Sequence, residues 1–215
     1  MSRQKREIYL LSPLAKEGTI SLPMISFSLY DELIDLAPYD ILLFTSKQAV
    51  KSAYSLNPKA KEIPALAIGS ATAKSITSLG GIVLYQAKEF YGKNLSQDII
   101  QKFKDKNILY LRPKVVSFDS KSFLEKAHIT IEEQIIYETN CCNYSIKEKP
   151  QKNAIIIFTS PSTIKCFLSN FEWDKSYTAV VIGKATLKHL PKNIKVEVAD
   201  VPLIESCVEK AKTLI

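Results

Sequence analysis

Hydroxyl side chains follow two apolar runs of strand length in this 215-residue chain. Ile41–Phe44 is followed by Thr45-Ser46, and Ile155–Phe158 is followed by Thr159-Ser160. Serine and threonine often cap helix N-termini, where free backbone N–H groups and the positive end of the helix dipole attract anions. The pattern therefore predicts a carboxylate- or phosphate-binding turn after each apolar run.

A second pair of motifs repeats this device. Ile68–Thr72 and Ile182–Thr186 both read Ile-Gly-x-Ala-Thr, so that a glycine allowing close backbone approach is followed three residues later by a hydroxyl. We expect the four turns to begin helices and to line one cleft that binds a ligand with many carboxylates. Each cap also has a purely structural interpretation, because a capping side chain stabilises its helix without any ligand. The candidate binding residues in these motifs are Thr45, Ser46, Ser70, Thr72, Ser160, Ser162, Lys184 and Thr186.

The motifs belong to an internal repeat. Phe44 corresponds to Phe158 and Gly69 to Gly183, and both pairs are 114 residues apart. Each copy reads as strand, helix, strand, glycine turn and helix, which is the order of βαβ units. The predicted fold class is α/β, with two similar doubly wound parallel-sheet domains of the flavodoxin-like type.

Further elements are predicted from the hydrophobic pattern. The additional strands are expected at Val83–Tyr85, Ile108–Leu111 and Lys195–Val198, and the additional helices near Asn94–Phe103, Ser120–Lys126 and Leu203–Thr213.

The repeat is interrupted, which predicts that one domain is inserted into the other. The N-terminal strand Ile8–Ser12 resembles Leu109–Pro113, which comes late in the first copy, and each domain needs one such strand. We therefore expect the linkers to pair as a two-stranded β ladder that acts as a hinge. The predicted ranges are 1–20 plus 143–215 for the discontinuous domain, 29–132 for the inserted domain, and 21–28 and 133–142 for the linker strands.

Composition narrows the function classes. The chain is 46% hydrophobic and 24% charged, which is typical of a folded protein, and its net charge of +7 favours anionic partners. No apolar run is long enough to span a membrane, and no secretory signal or nucleic-acid-binding motif is present. We expect a cytoplasmic monomer with reduced cysteines, no membrane association and no nucleic-acid partner.

Several cofactor and catalytic patterns are missing from the sequence. The four cysteines and two histidines lack zinc-site spacing, so no metal is expected. Neither GxGxxG nor GxxxxGK[ST] occurs, which disfavours nicotinamide and ATP enzymes. No Ser/His/Asp constellation can be assembled either.

Five motifs in order resemble the uroporphyrinogen-III synthase family. They are FTSKQAV after the first apolar run, IGSAT, the return-strand segment Tyr137-Glu138-Thr139, FTSPS and IGKAT, and they cover nearly the whole chain. The resemblance implies two α/β domains joined by a two-stranded ladder. It also implies a hydro-lyase without a cofactor, which cyclises the linear tetrapyrrole hydroxymethylbilane, inverts ring D and releases uroporphyrinogen III for tetrapyrrole and heme biosynthesis.

The resemblance also assigns roles to individual residues. Tyr137 matches the return-strand tyrosine, which would assist departure of the substrate hydroxyl as a hydrogen-bond donor or acid. Its alternative role is packing beside Ile135 in a hinge. Arg112 follows a predicted strand and is a candidate for bidentate carboxylate binding, with a surface ion pair as the alternative.

Two other functions remain open from the sequence. A non-enzymatic two-domain binding protein for an anionic metabolite would use the same hinge and the same anion sites. A nucleic-acid binder would be supported by the positive charge alone, and its binding would depend steeply on salt.

Overall fold

The computed structural model describes residues 6–88 and 91–215, which divide into two units with a β-sheet each. Unit 1 contains the chain up to Ser26 together with Thr139–Ile215, and unit 2 is Phe27–Glu138. None of the helices in the described part of the chain has the length and apolar character of a membrane span.

The strands include all those that the apolar runs predict. In the described residues they are β1 (Ile8–Leu10), β2 (Ile20–Ser21), β3 (Ile25–Leu29), β4 (Ile41–Phe44), β5 (Ala65–Ala67), β6 (Val83–Gln86), β7 (Ile108–Pro113), β8 (Glu132–Cys141), β9 (Ile155–Phe158), β10 (Thr178–Val181) and β11 (Lys195–Val198). The two-residue strand β2 is exposed and has too little apolar pattern to be predicted.

Helices follow most of these strands. They are α1 (Lys47–Leu56), α2 (Ser70–Ser78), α3 (Gly92–Lys102), α4 (Ser120–Glu125), α5 (Pro161–Asn170), α6 (Lys184–Leu187) and α7 (Ile204–Lys212), with short 3₁₀ helices at Pro58–Lys61 and Ile146–Glu148.

The two sheets have the same arrangement of five strands, and the sheet of unit 2 has β3 as a sixth. In unit 1 the order is β2-β1-β9-β10-β11, and neighbouring strands are parallel. In unit 2 it is β3-β8-β7-β4-β5-β6, and the strands from β8 to β6 are parallel. Strands β8-β7-β4-β5-β6 therefore occupy the places of β2-β1-β9-β10-β11, although they come in a different chain order. The predicted α/β class with parallel sheets is confirmed.

Burial explains why the central strands are continuously apolar. All four residues of β4 and of β9 are buried, because side chains alternate between two faces and both faces are covered. In β4, Leu42 and Phe44 pack in one core cluster, while Ile41 and Leu43 pack in another on the opposite face. The edge strands β6 and β11 alternate between exposed and half-buried residues, as expected for strands with one covered face.

The structure shows the 114-residue repeat in the first strand and helix of each copy, and the match is less close after them. Strand β9 and helix α5 lie 114 residues after β4 and α1 with identical lengths. The correspondence weakens after the second motif, because α2 has nine residues and α6 only four. Beyond that point β11 and α7 begin 112 residues after β6 and α3.

Both crossings of the chain between the units lie inside strands. The unit boundaries fall within β3 and within β8, which are neighbours in the unit 2 sheet. The Tyr30 N–H donates to the carbonyl of Ile136 at 3.1 Å, and the Cys142 N–H donates to the carbonyl of Met24 at 3.0 Å. These strands overlap the predicted linker ranges 21–28 and 133–142, whose role as a hinge stays a prediction.

The expectation of four reduced cysteines is wrong. Cys141, at the end of β8, forms a disulfide with Cys166 of α5, while Cys142 and Cys207 are free. The Cα atoms of the bonded pair are 5.2 Å apart, within the range that a disulfide can bridge. A sequence separation of 25 residues carries no signal of this contact, which arises only when the strand end packs beside the helix.

Reduction of the Cys141–Cys166 bridge is expected to lower the free energy of unfolding by roughly 2–4 kcal/mol, because the bridge restricts the unfolded chain. Guanidinium unfolding with and without dithiothreitol measures the effect. Cys142→Ser should keep the response to reductant, and Cys166→Ser should abolish it. Identical unfolding midpoints of the unsubstituted protein in both buffers would contradict the bridge.

Candidate functional site

Strand register brings the first two motifs together in unit 2. Phe44 of β4 pairs with Ala67 of β5, and the Ile68 N–H donates to the carbonyl of Phe44 at 3.1 Å. The turn after β4 and the turn after β5 therefore lie side by side at the carboxyl edge of the sheet. Ligands of open parallel sheets characteristically bind at this edge.

Ser46 joins the start of α1 to the tyrosine predicted as catalytic. Its Oγ accepts a hydrogen bond from the Ala49 N–H at 2.9 Å, so Ser46 is the N-cap of α1. The same Oγ lies 2.9 Å from the hydroxyl of Tyr137 on β8. The structure thus brings Ser46 and Tyr137 together at a helix N-terminus, where the backbone carries partial positive charge.

The environment of Tyr137 keeps its phenol protonated at neutral pH. The residue is 4% exposed, and its ring makes a T-shaped contact with Phe27 at a centroid distance of 5.7 Å. Burial raises the pKa of Tyr137, because it disfavours the charged phenolate, and the hydrogen bond with Ser46 offsets part of the rise. The group is therefore a hydrogen-bond donor with a weakly acidic proton.

Thr45 makes a second hydroxyl pair that the sequence did not suggest. Its Oγ1 lies 2.7 Å from the hydroxyl of Tyr110 on β7, and burial raises the pKa of Tyr110 to about 12. Tyr110 and Tyr137 belong to different core clusters, on opposite faces of the sheet. One signal was available in the sequence, namely a tyrosine within an otherwise aliphatic buried strand.

Helix α2 presents the second motif of unit 2. Ser70 is exposed in its first turn, whereas Thr72 is 4% exposed and its N–H donates to the carbonyl of Gly69 at 3.1 Å. Ser70 is therefore accessible to a ligand. Thr72 is buried and has little surface to offer a ligand.

Arg112 is engaged within unit 2. Its Nε donates to Glu133 Oε2 at 3.0 Å, and its Nη1 donates to the carbonyls of Pro113 and Lys114. The two charged side chains are only 18% and 14% exposed. Alternate residues of a strand share a face, so Arg112 lies on the face of Tyr110 and not on that of Tyr137. Bidentate binding of a ligand carboxylate would require releasing either Glu133 from Nε or the backbone carbonyls from Nη1, and the sequence did not identify these partners.

In unit 1 the Thr159-Ser160 motif begins α5 with a capping box, in which the side chains of Ser160 and Thr163 each accept a backbone hydrogen bond. The Thr163 N–H donates to Ser160 Oγ at 3.3 Å, and the Ser160 N–H donates to Thr163 Oγ1 at the same distance. The Ile182 N–H donates to the carbonyl of Phe158 at 3.1 Å, so the two turns of unit 1 are neighbours as in unit 2. Ser162 is exposed in the first turn of α5 and is accessible to a ligand.

The last motif differs from its prediction in helix length. Lys184 is exposed and Thr186 is buried, but α6 is a single turn of four residues. The helix dipole at Gly183 is consequently weaker than expected for a full helix, so that three rather than four long helices begin at these motifs. The φ of Gly183 is 175°, an extended value open to any residue, and an added Cβ would meet no described atom within 4 Å.

Comparisons with known proteins agree on one family. The family model described as Uroporphyrinogen-III synthase HemD matches residues 16–209. The crystal structure of uroporphyrinogen-III synthetase from Helicobacter pylori is 29% identical, with a TM-score of 0.81 over 98% of this chain and 100% of that one. A mutant uroporphyrinogen III synthase from the extremely thermophilic bacterium Thermus thermophilus shares the fold, at 11% identity and a TM-score of 0.57 over 97% of this chain and 98% of that one.

Curated protein sequences give no match to this chain. The family model nevertheless spans most of the sequence, and its range contains the four repeated motifs, Tyr137 and Arg112. The Helicobacter pylori structure extends the similarity to almost every residue. The chain therefore belongs to the uroporphyrinogen-III synthase family.

Proposed function

We propose that the chain catalyses the cyclising dehydration of hydroxymethylbilane to uroporphyrinogen III, with inversion of ring D. The observation that carries the proposal is the Ser46–Tyr137 hydroxyl pair at the N-terminus of α1, in a chain that belongs to this family. The substrate loses its terminal hydroxyl, which takes up a proton and leaves as water. A pyrrole carbon forms the new C–C bond that closes the ring and releases its own proton, so that water is the only by-product.

The binding groups suit a polycarboxylate substrate. Unit 2 offers the α1 N-terminus and the exposed Ser70, and unit 1 offers the α5 N-terminus with Ser160, Ser162 and the exposed Lys184. Backbone N–H groups and hydroxyls at helix N-termini bind carboxylates, and a net charge of +7 attracts them. In this proposal four further residues border these sites or hold their binding groups in place, namely Thr45, Thr72, Arg112 and Thr186.

Tyr137 is the proposed acid or hydrogen-bond donor. As the C–O bond breaks, its electron pair leaves with the hydroxyl oxygen, which takes a proton to become water, and the pyrrole nitrogen stabilises the resulting cation. The Ser46 Oγ accepts from the Ala49 N–H, so its own proton is free to be donated to Tyr137. The Tyr137 proton is then available for the leaving group.

Several finer features belong to the same proposal. The enzyme is a hydro-lyase that needs no metal or organic cofactor, because the pyrrole chemistry is intrinsic and the protein's task is orientation. Its two units are flavodoxin-like domains joined by a ladder of β3 and β8. It is a cytoplasmic monomer, and reduction by cytosolic thiols would open the Cys141–Cys166 bridge there.

Purified protein supplied with hydroxymethylbilane is expected to yield uroporphyrinogen III, identified as its porphyrin isomer after oxidation. The reaction without protein should give isomer I by spontaneous closure. If the protein binds the bilane and only isomer I forms at the uncatalysed rate, the synthase proposal fails and the binding-protein alternative stands.

Tyr137→Phe should lower kcat by roughly 100-fold, because it removes the proposed proton donor. Stability should fall by only about 1 kcal/mol, since one hydroxyl pair is lost. Tyr144→Phe is a matched control, because the Tyr144 hydroxyl donates to the Pro23 carbonyl at 2.8 Å and has no proposed role in the reaction. Unchanged turnover of Tyr137→Phe would remove Tyr137 from the mechanism.

Gly183→Ala should leave the free energy of unfolding unchanged or raise it slightly, because its extended backbone suits alanine and the added Cβ has room. If the backbone N–H groups of this turn contact a substrate carboxylate, the Cβ obstructs that approach and KM rises. Thermal unfolding and steady-state kinetics separate the two effects. A variant with unaltered KM would show that the turn has no close contact with the substrate.

A further inference from the structure

Tyr110 is a buried tyrosine of β7 whose hydroxyl lies 2.7 Å from Thr45 Oγ1. The residue is 2% exposed and belongs to the core cluster that also contains Leu43 and Leu124. A buried hydroxyl is costly unless it is hydrogen-bonded, so this contact fixes the orientation of both side chains.

The Thr45–Tyr110 contact is one of two hydroxyl contacts that hold the turn between β4 and α1. Thr45 and Ser46 are consecutive, and their hydroxyls meet Tyr110 and Tyr137 respectively. The two tyrosines approach from opposite faces of the sheet, because they belong to different core clusters. The turn between β4 and α1 is therefore held from both sides, directly before the helix N-terminus.

Unit 1 builds the same architecture without this tyrosine. Leu10 of β1 pairs with Ile157, and Tyr110 of β7 pairs with Leu43, the residue that corresponds to Ile157 in the repeat. Leucine thus occupies the place of Tyr110 beside an identical Thr-Ser turn at Thr159. The sheet and its turn do not need a hydroxyl at this position.

The tyrosine is therefore specific to the unit that carries Tyr137. We propose that Tyr110 is a positioning residue for the reaction, which holds the turn through Thr45 so that the hydroxyls of Ser46 and Tyr137 stay aligned. Tyr110 is buried and acts only through Thr45. This inference rests on the proposed function, since it needs a reaction in which the Ser46–Tyr137 pair takes part.

Tyr110→Phe tests the inference, because it keeps the ring and removes the hydroxyl. We expect kcat to fall roughly tenfold with little change in KM, since a small misalignment affects the reaction more than binding. The share of isomer I should rise, because spontaneous closure competes with the slower enzyme. The isomer made by the unsubstituted protein is measured first, so that failure of the proposed function is recognised separately.

Tyr177→Phe is the matched structural control. Tyr177 is a buried tyrosine of unit 1 whose hydroxyl donates to the Pro150 carbonyl. Its loss should lower thermal stability at least as much as Tyr110→Phe does, with kcat and the isomer ratio unchanged. Kinetics are measured well below the unfolding temperature of each variant.

A double-mutant cycle identifies the route of the effect. If Tyr110 acts through Thr45, Tyr110→Phe should have little further effect on kcat in a Thr45→Val background. An unchanged kcat and isomer ratio for Tyr110→Phe, in a protein that makes isomer III, would overturn the inference. A full additional loss in the Thr45→Val background would overturn the route through Thr45.

Discussion

The register between neighbouring parallel strands is the constraint on which the site depends. In each unit the parallel pairing of two strands, β4 with β5 and β9 with β10, sets the two motifs of that unit side by side. The Ile68 N–H donates to the carbonyl of Phe44, and the Ile182 N–H donates to that of Phe158, where each ladder ends. Because side chains alternate along a strand, a shift of one residue would move each buried side chain of β4 and β9 to the opposite face of its sheet, where it would not fit the core. Core packing therefore fixes the register, and the register fixes where the hydroxyls and helix N-termini lie.

Comparison of the two copies of the repeat shows which features of the candidate site occur in both units and which occur in one. The caps at Ser46 and Ser160 occupy equivalent places in the repeat. A gene duplication preserves caps that stabilise a helix as readily as caps that bind a ligand. The tyrosines do not follow the repeat. Tyr110 and Tyr137 lie on β7 and β8, whose counterparts in unit 1 are β1 and β2, and the place of Tyr110 is taken by Leu10. The proposal therefore gives carboxylate-binding turns to both units and the proton donor to unit 2.

The sequence predicted what depends on local pattern. The α/β class and the strands β4 and β9 followed from continuous apolar runs, and the caps followed from Thr-Ser at their ends. Two features depend on contacts between distant residues and were missed, namely the Cys141–Cys166 bridge and the Thr45–Tyr110 pair. An ion pair was the alternative role of Arg112 from the sequence, but its partner Glu133 was not identified. The shortness of α6 was also missed, because its sequence IGKAT matches IGSAT while the helix ends within one turn. The roles of the individual site residues remain proposals.

A raised pKa is compatible with the proposed role of Tyr137. A proton donor must be protonated before the reaction, and burial ensures that the phenol is neutral at physiological pH. Burial also makes full proton transfer costly, because it leaves a phenolate in a poorly solvated place. Two groups reduce that cost, since Ser46 can donate to the phenolate oxygen and the N-terminus of α1 places positive backbone charge beside Ser46. Both interactions become stronger as negative charge develops on the phenol oxygen, so they favour the transition state over the bound substrate. The alignment of Ser46 with Tyr137 is therefore the feature of the site that should tolerate least displacement.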